Sequence, residues 1–194
     1  LTGEGEVTPG ASTLENHGDL KRIGNNSPRY RVGLNLDAAW KGIDFSIFFQ
    51  GVLKRDWMFD AGDPYFWGAG SGMWQAACFE EHMDYWTPEN TDAYYPKPYF
   101  NETKNQQAQD AYMQKASYLR CKNIQLGYTL PTHITEKAGI SNCRIYLSCD
   151  NLFTITGLSS VYDPEAFGSY DGYGTSGKTY PLQRTISVGV NLNF

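Results

Sequence analysis

The sequence predicts an all-β fold, an antiparallel transmembrane β-barrel segment with long loops on one side of the membrane. Three observations predict it. Five stretches alternate apolar and polar residues with a period of two, as strands do when their two faces meet different surroundings. The connections between these stretches run short, long, short, long. Aromatic residues bracket the stretches.

The first stretch, "RYRVGLNLDAAW", puts Tyr30, Val32, Leu34, Leu36 and Ala38 on one face and Arg31, Gly33, Asn35 and Asp37 on the other. The second, "DFSIFFQGVL", sets Phe45, Ile47 and Phe49 against Asp44, Ser46 and Gln50, and only "KGI" separates it from the first. That spacing predicts a tight hairpin. The third, "YLRCKNIQLGYTL" (118–130), has Leu119 and Cys121 out of phase with Ile124, Leu126 and Tyr128. A bulge near Lys122 or Asn123 restores the phase. In the fourth, "CRIYLSCDNLF", Cys143, Ile145, Leu147 and Cys149 alternate with Arg144, Tyr146, Ser148 and Asp150. The fifth is "RTISVGVNLNF", with Ile186, Val188, Val190, Leu192 and Phe194 in phase. Each is close to the roughly 9–11 residues that cross a bilayer at a tilt.

Residues 54–117 and 154–183 form the long connections, whereas "PTHITEKAGISN" is short enough for one helical turn stopped at Gly139. Outer-membrane barrels segregate their connections in this way, with short periplasmic turns and long extracellular loops. Periodicity alone does not separate a barrel from a sandwich, because in both one face is apolar and the other polar. The loop asymmetry favours the barrel. So does the bracketing by Tyr30 and Trp40, Tyr118 and Tyr128, and Phe194, which resembles an interfacial aromatic girdle.

The 194 residues suffice for one sizeable domain. A formal net charge of −5 argues against nucleic acid, which calls for a basic stripe. The longest apolar run, "FSIFFQGVL", is half of a membrane helix, which needs about 18 residues or more. The chain starts without Met and without a charged-then-apolar leader, and so reads as a mature piece or a fragment. Cys78, Cys121, Cys143 and Cys149 form no CxxC, and the histidines are scattered. No zinc site is expected. The cysteines are expected to be unpaired, with Cys121 and Cys149 the one pair worth testing.

Residues that could carry chemistry are few. "DPYFWGAGSGMW" is Gly-rich but lacks the Lys-Ser/Thr of a phosphate loop, and is expected to be a mobile loop tip. The loop aromatics Trp67, Trp74, Tyr170 and Tyr173 are the substrate-contact candidates, since flat rings stack on sugars; the competing expectation is that they pack the loops together. Glu80 with Glu81, and Asp163 with Glu165, are carboxylate pairs. A glycosidase would need its pair about 5–10 Å apart across a sugar, and solvated charges are the expectation here. In "DNLF", Asn151 is expected to satisfy backbone groups at the rim while Leu152 and Phe153 pack. No GxSxG occurs, so no catalytic residue is assigned and the chain is not expected to be an enzyme.

Four blocks carry a resemblance to a known family. "IGNNSPRYRVGLNLDAAWKGIDFSIFFQGVLKRD", "DYWTPENTDAYYPKP", "ASYLRCKNIQLGYTLPTHITEKAGISNCRIYLSCDNLFTITG" and "YPLQRTISVGVNLNF" occur in that order. They resemble the C-terminal barrel segment of TonB-dependent outer-membrane receptors, specifically the SusC/RagA-like group of Bacteroidota. The resemblance implies that residues 1–194 are the last five strands of a 22-stranded barrel, with the plug, the earlier strands and the TonB-binding segment outside this chain. It implies an importer of oligosaccharides or peptides in the outer membrane, capped by a SusD-like surface lipoprotein and energised by the TonB complex. The terminal strand would then pair with the first strand of the same barrel. Phe194, Leu192 and Val190 would form the signal read by the assembly machinery. Residues 1–28 would lie in an extracellular loop. The opening "LTGEGEVTPG" resembles a calcium-loop-like run of that family, which has Asn where Thr2 stands and Asp where Glu4 stands. Glu4 and Glu6 are therefore the calcium candidates, and a solvated Gly-rich loop without cofactor is the expectation.

Two other classes compete. One is a soluble carbohydrate-binding β-sandwich, which would stay monomeric without detergent. The other is a glycan-degrading enzyme, which would need a catalytic constellation that the sequence does not display.

Overall fold

A computed structural model describes residues 10–11, 13–71, 77–99, 104–166 and 180–194. Its strands are β1 (Tyr30–Trp40), β2 (Ile43–Leu53), β3 (Asp56–Trp57), β4 (Gln114–Thr129), β5 (Asn142–Asp150), β6 (Thr154–Gly157) and β7 (Thr185–Asn193). All pair antiparallel in one sheet of order β1-β2-β4-β5-β7. The short β3 continues β2, and β6 continues β5, so that both lie along the first half of β4.

Local chemistry explains the turns. Lys41 and Gly42, both at positive φ, join β1 to β2 as a two-residue hairpin with Trp40 opposite Ile43. A loop with both central residues at positive φ matches the right-handed twist of the strands it joins. Between β4 and β5 a single helical turn, α1 (Thr132–Thr135), runs into a 3₁₀ turn that ends at Gly139 with φ 70°.

The bulge falls at Lys122. Phe48 pairs with Asn123 and Phe49 with Cys121, so Lys122 is skipped. Leu119 and Cys121 thereby rejoin the face of Ile124 and Leu126. On the other side of β4 the chain corners at Asn151, which holds φ 52°. Asn tolerates this left-handed conformation better than a branched residue. Its amide donates to the Lys122 carbonyl at 3.0 Å, and its side chain donates to the Gln183 carbonyl at 3.0 Å. Leu152 N–H bonds Cys121 O, and Cys121 N–H bonds Phe153 O. The corner therefore meets the bulge bond for bond. The expected backbone role of Asn151 is borne out.

One face of the sheet is apolar from edge to edge. Leu34, Leu36, Phe45, Ile47, Ile124, Leu126, Ile145, Leu147, Val188 and Val190 are in register across it. No second layer covers it among the described residues, and Val188 is 75% exposed. Trp40, Ile43 and Tyr128 line its turn end.

The opposite face is polar. Arg144 on β5 reaches over β4 to Asp44 on β2. Its Nε donates to Oδ1 at 2.9 Å, and Nη2 donates to the other carboxylate oxygen and to Gln125 Oε1 at 3.0 Å. The side chain crosses at Gly127, where an added Cβ would sit about 2.5 Å from Arg144 Nη2 and from Asp44 Oδ1. A side chain at Gly127 would displace this bridge.

The structure corrects three expectations. β4 begins at Gln114, four residues earlier than the alternation indicated, because its first half pairs with β3 and β6. Tyr118 is no girdle residue: it pairs with Val52, out of phase with the apolar face, and is buried on the polar side. The Gly-rich segment differs from the expected mobile tip. Phe59, Phe66, Trp67, Tyr95, Tyr112, Ala116, Leu158 and Tyr162 form a buried cluster, built mainly from the long connections over the first half of β4. The part of the Gly-rich segment that is described, 63–71, belongs to this packed unit. It is not a mobile tip.

Candidate functional site

The aromatic cluster is the scaffold of the candidate site. Phe59 stacks on Phe66 at 4.7 Å and on Tyr162 at 4.1 Å between ring centres. Asp63 organises the turn beneath them. Its Oδ1 accepts from the amides of Tyr65 and Phe66, at 3.0 and 2.9 Å, and from the Tyr162 hydroxyl at 2.7 Å. One carboxylate oxygen thus shapes the 63–66 turn and ties it to the second connection. Burial raises the Asp63 carboxyl above its ordinary range, against those hydrogen bonds. Burial beside Asp63 lifts the Tyr162 hydroxyl far above its ordinary range, so it stays protonated and donates.

A buried charge network fixes the second connection to β4. Arg120 is 4% exposed and meets Asp163 at 2.8 Å and Glu165 at 3.2 Å. Its Nε donates to Thr154 Oγ1 at 2.7 Å. Lys122 reaches the same Glu165 oxygen at 2.9 Å. Burial would raise the Asp163 carboxyl, but the amides of Glu165 and Leu182 and the Arg120 guanidinium outweigh it and hold it below the usual range. The two charges at Asp163 and Glu165 are therefore ion-pair acceptors in the interior. The expectation that they are solvated is corrected, because Arg120 and Lys122 point into the same space.

Further bonds join the two connections. Ser159 Oγ donates to Glu81 Oε1 at 2.7 Å, and Ser159 N–H donates to Gln114 Oε1 at 2.9 Å. The Tyr95 hydroxyl lies 3.5 Å from the same Glu81 oxygen. Burial, then the negative charge of Glu81, raises that hydroxyl far above its ordinary range. Within the first connection, Gln106 accepts from Gly62 N–H at 2.6 Å and donates to Gly70 O at 2.5 Å.

Two open clefts flank this unit. One, of about 620 Å³, is lined by Arg22, Asn25, Asp56, Trp57, Asp60 and Met113, among others. The other, of about 630 Å³, lies between the connections and is lined by Tyr65, Phe79, Glu80, Glu81, Ser160 and Val161.

Of the candidates read from the residue patterns, Trp67, Val190, Leu192 and Phe194 are described. Trp67 is buried, donates its indole N–H to the Asp60 carbonyl at 2.9 Å, and meets Phe66 and Tyr112 edge-on at 4.8 Å. It holds the loops together. Trp74, Tyr170, Tyr173, Glu4 and Glu6 lie outside the described residues. Val190 and Leu192 lie on β7 with the apolar face, and Phe194 follows the strand at 87% exposure. The cysteines are free, and Cys149 pairs with Ile124 while Cys121 lies against Leu152 and Phe153. Residue patterns alone missed Arg120, Asp63 and Tyr162. Arg120 gave no signal of its own, because it sits in the polar phase of the strand, opposite Leu119 and Cys121. Among the described residues, no group of three or more His, Cys, Asp or Glu gathers to hold a metal ion.

No family model matches the chain. Two curated proteins of Formosa agariphila do. TonB-dependent receptor P3 is 30% identical over 201 residues, covering 100% of this chain. TonB-dependent receptor P26 is 27% identical over 183 residues, covering 91% of it. Among solved structures, the RagAB peptide importer in its open-open state matches with a TM-score of 0.63 and 27% identity over 92% of the chain. Its closed-closed state matches with 0.62 and 25% over the same share. The chain spans 18% of the length of each of these proteins. The resemblance read from the motifs is borne out: this chain is similar, over its whole length, to a part of TonB-dependent receptors, and its antiparallel sheet matches barrel-type neighbours.

Proposed function

We propose that the chain is the C-terminal part of the barrel of an outer-membrane importer of the SusC/RagA-like kind. It is a receptor segment and not an enzyme, and its place is the outer membrane. The observation that carries this reading is the sheet itself. Its apolar face runs edge to edge without cover among the described residues, and its polar face carries a buried-ion-pair clamp where the long connections fold over β4. A lipid-facing wall with folded outer loops has this form. The sandwich reading requires a second sheet on the apolar face, and the described strands form one sheet.

In this reading the complete receptor takes up oligosaccharides or peptides. The likeness to a peptide importer favours peptides. A SusD-like lipoprotein caps it, and the TonB complex drives it through a segment outside this chain. Val190, Leu192 and Phe194 act as the assembly signal, and Trp74, Tyr170 and Tyr173 contact substrate. The import itself needs no cofactor; Glu4 and Glu6 remain the calcium candidates.

The test is uptake by cells that carry the complete receptor as their one route for a labelled peptide or glycan pool. Uptake is expected with intact TonB and absent when TonB is deleted. Uptake that persists without TonB overturns the proposal.

A further inference from the structure

The cleft between the two long connections has a chemistry that the import reading leaves unassigned. We infer that this cleft is a subsite for an organic cation, an ammonium or guanidinium group carried by the imported substrate. The inference rests on the import reading and adds a substrate class to it.

Four observations carry it. First, the cleft is roomy, at about 630 Å³, and is bounded by two segments of the chain, with Tyr65 and Phe79–Glu81 on one side and Ser160–Val161 on the other. Second, its aromatic wall is fixed. Tyr65 and Phe79 stack at 6.0 Å with 27° between their planes. The Phe79 backbone is pinned by its amide donating to His82 Nδ1 at 3.0 Å, and His82 Nε2 lies 3.1 Å from the Phe66 carbonyl. Third, the cleft's lining carries two carboxylates and no lysine or arginine. Glu80 and Glu81 open a 3₁₀ turn at its rim, and neither has an ion-pair partner among the described residues. Fourth, Glu81 is held in place. Its Oε1 accepts from Ser159 at 2.7 Å, and among the described residues it is bonded on that oxygen alone.

A positive group placed here meets the Tyr65–Phe79 pair and two acidic side chains. Each attraction is modest at an exposed site, but they converge. A neutral sugar would use the rings and waste the charges. An anion would be repelled. Two sources share the required chemistry: a lysine or arginine side chain of a peptide, and the free amine of an amino sugar.

The experiment uses the full-length receptor in detergent, with binding read by calorimetry. The probes are a heptapeptide with a central lysine, the same peptide with norleucine, a glucosamine pentamer and its N-acetylated form. At least one charged probe is expected to bind about tenfold tighter than its neutral twin. E80Q is expected to reduce that preference to about threefold or less, and F79L to weaken both probes of that pair. E80Q is the informative variant, because Glu80 makes none of the bonds that hold Glu81. Which pair shows the preference identifies the source. Charged and neutral twins that bind alike in both pairs, or a preference that E80Q leaves intact, overturn the subsite. Binding with charge preference but without TonB-dependent uptake of the same probe overturns the import reading and leaves the subsite standing.

Discussion

Asp163 shows how much one residue carries. It sits in the interior against Arg120 and accepts amides from Glu165 and Leu182. Its carboxyl is held below the ordinary value in the folded protein. A carboxyl whose folded value is lowered adds stability that is complete above the unfolded value of about 3.9 and is lost as pH falls through the folded value. Hydrogen exchange of the Glu165 and Leu182 amides in the full receptor should therefore stay protected from pH 7 down to about 4 and lose protection only below that. D163N leaves Arg120 short of a charge in the interior, and removal of one partner of a buried pair costs about 3–5 kcal/mol. In D163N those amides should exchange faster at every pH, without the acid step. Protection already lost between pH 7 and 5 would contradict the assignment. The sequence alone pointed to solvated charges at Asp163 and Glu165, because a loop acid says nothing of a cation 43 residues away in a strand. Asn151 was legible for a different reason: the bend it permits is set by its own residue type, although the carbonyls it bonds, on Lys122 and Gln183, are distant in sequence.

At the scale of the element, alternation told more than length. The phase slip of Leu119 and Cys121 placed a bulge near Lys122 or Asn123, and the structure puts it at Lys122, since one extra residue is what returns both side chains to the apolar face. β6 was not legible. "TITG" is four residues long, and only the corner at Asn151 brings it back onto β4. The faces of β7 make a direct prediction. Val190 pairs with Ile145 on the apolar side, and Asn191 pairs with Arg144 on the polar side. A charge on the lipid face near mid-bilayer costs about 2–4 kcal/mol, whereas a lumen charge costs far less. V190R should lower the folded fraction of the full receptor, read by heat-modifiable gel mobility, much more than N191R. Equal losses would contradict a lipid-facing Val190 and a lumen-facing Asn191.

At the scale of the whole molecule, the connections define an inside and an outside. Residue 89 lies in the first long connection and residue 137 in the short β4–β5 turn, and both are exposed. With Cys78, the exposed cysteine, replaced by Ser in the full receptor, a membrane-impermeant thiol reagent on intact cells should label E89C and spare K137C. Labelling of K137C alone would invert the topology.

The last prediction concerns this chain by itself. β1 and β7 are the two edges of its sheet, each presenting a row of backbone N–H and C=O groups without a partner strand. In hydrocarbon each unsatisfied group costs several kcal/mol, so an open sheet does not persist there. Closure is not available either, because membrane barrels start at about eight strands. In water the difficulty moves to the face. Leu34, Leu36, Leu126, Leu147, Ile186, Val188 and Val190 are all at least 45% exposed together on one side, an apolar patch of the kind that drives association. The clamp at Arg120 and the aromatic cluster hold the loops to β4, but they cover the polar face and leave the apolar one open. Expressed without the rest of the receptor, the chain should aggregate or require detergent, and should show no uptake. Pairing both edges within the complete barrel removes each of these penalties at once, and detergent extraction of that barrel should yield a single heat-modifiable species. A monomer of this chain in plain buffer, with one cooperative thermal transition, would overturn the barrel reading: a sheet with an uncovered apolar face and two open edges has no means of reaching that state.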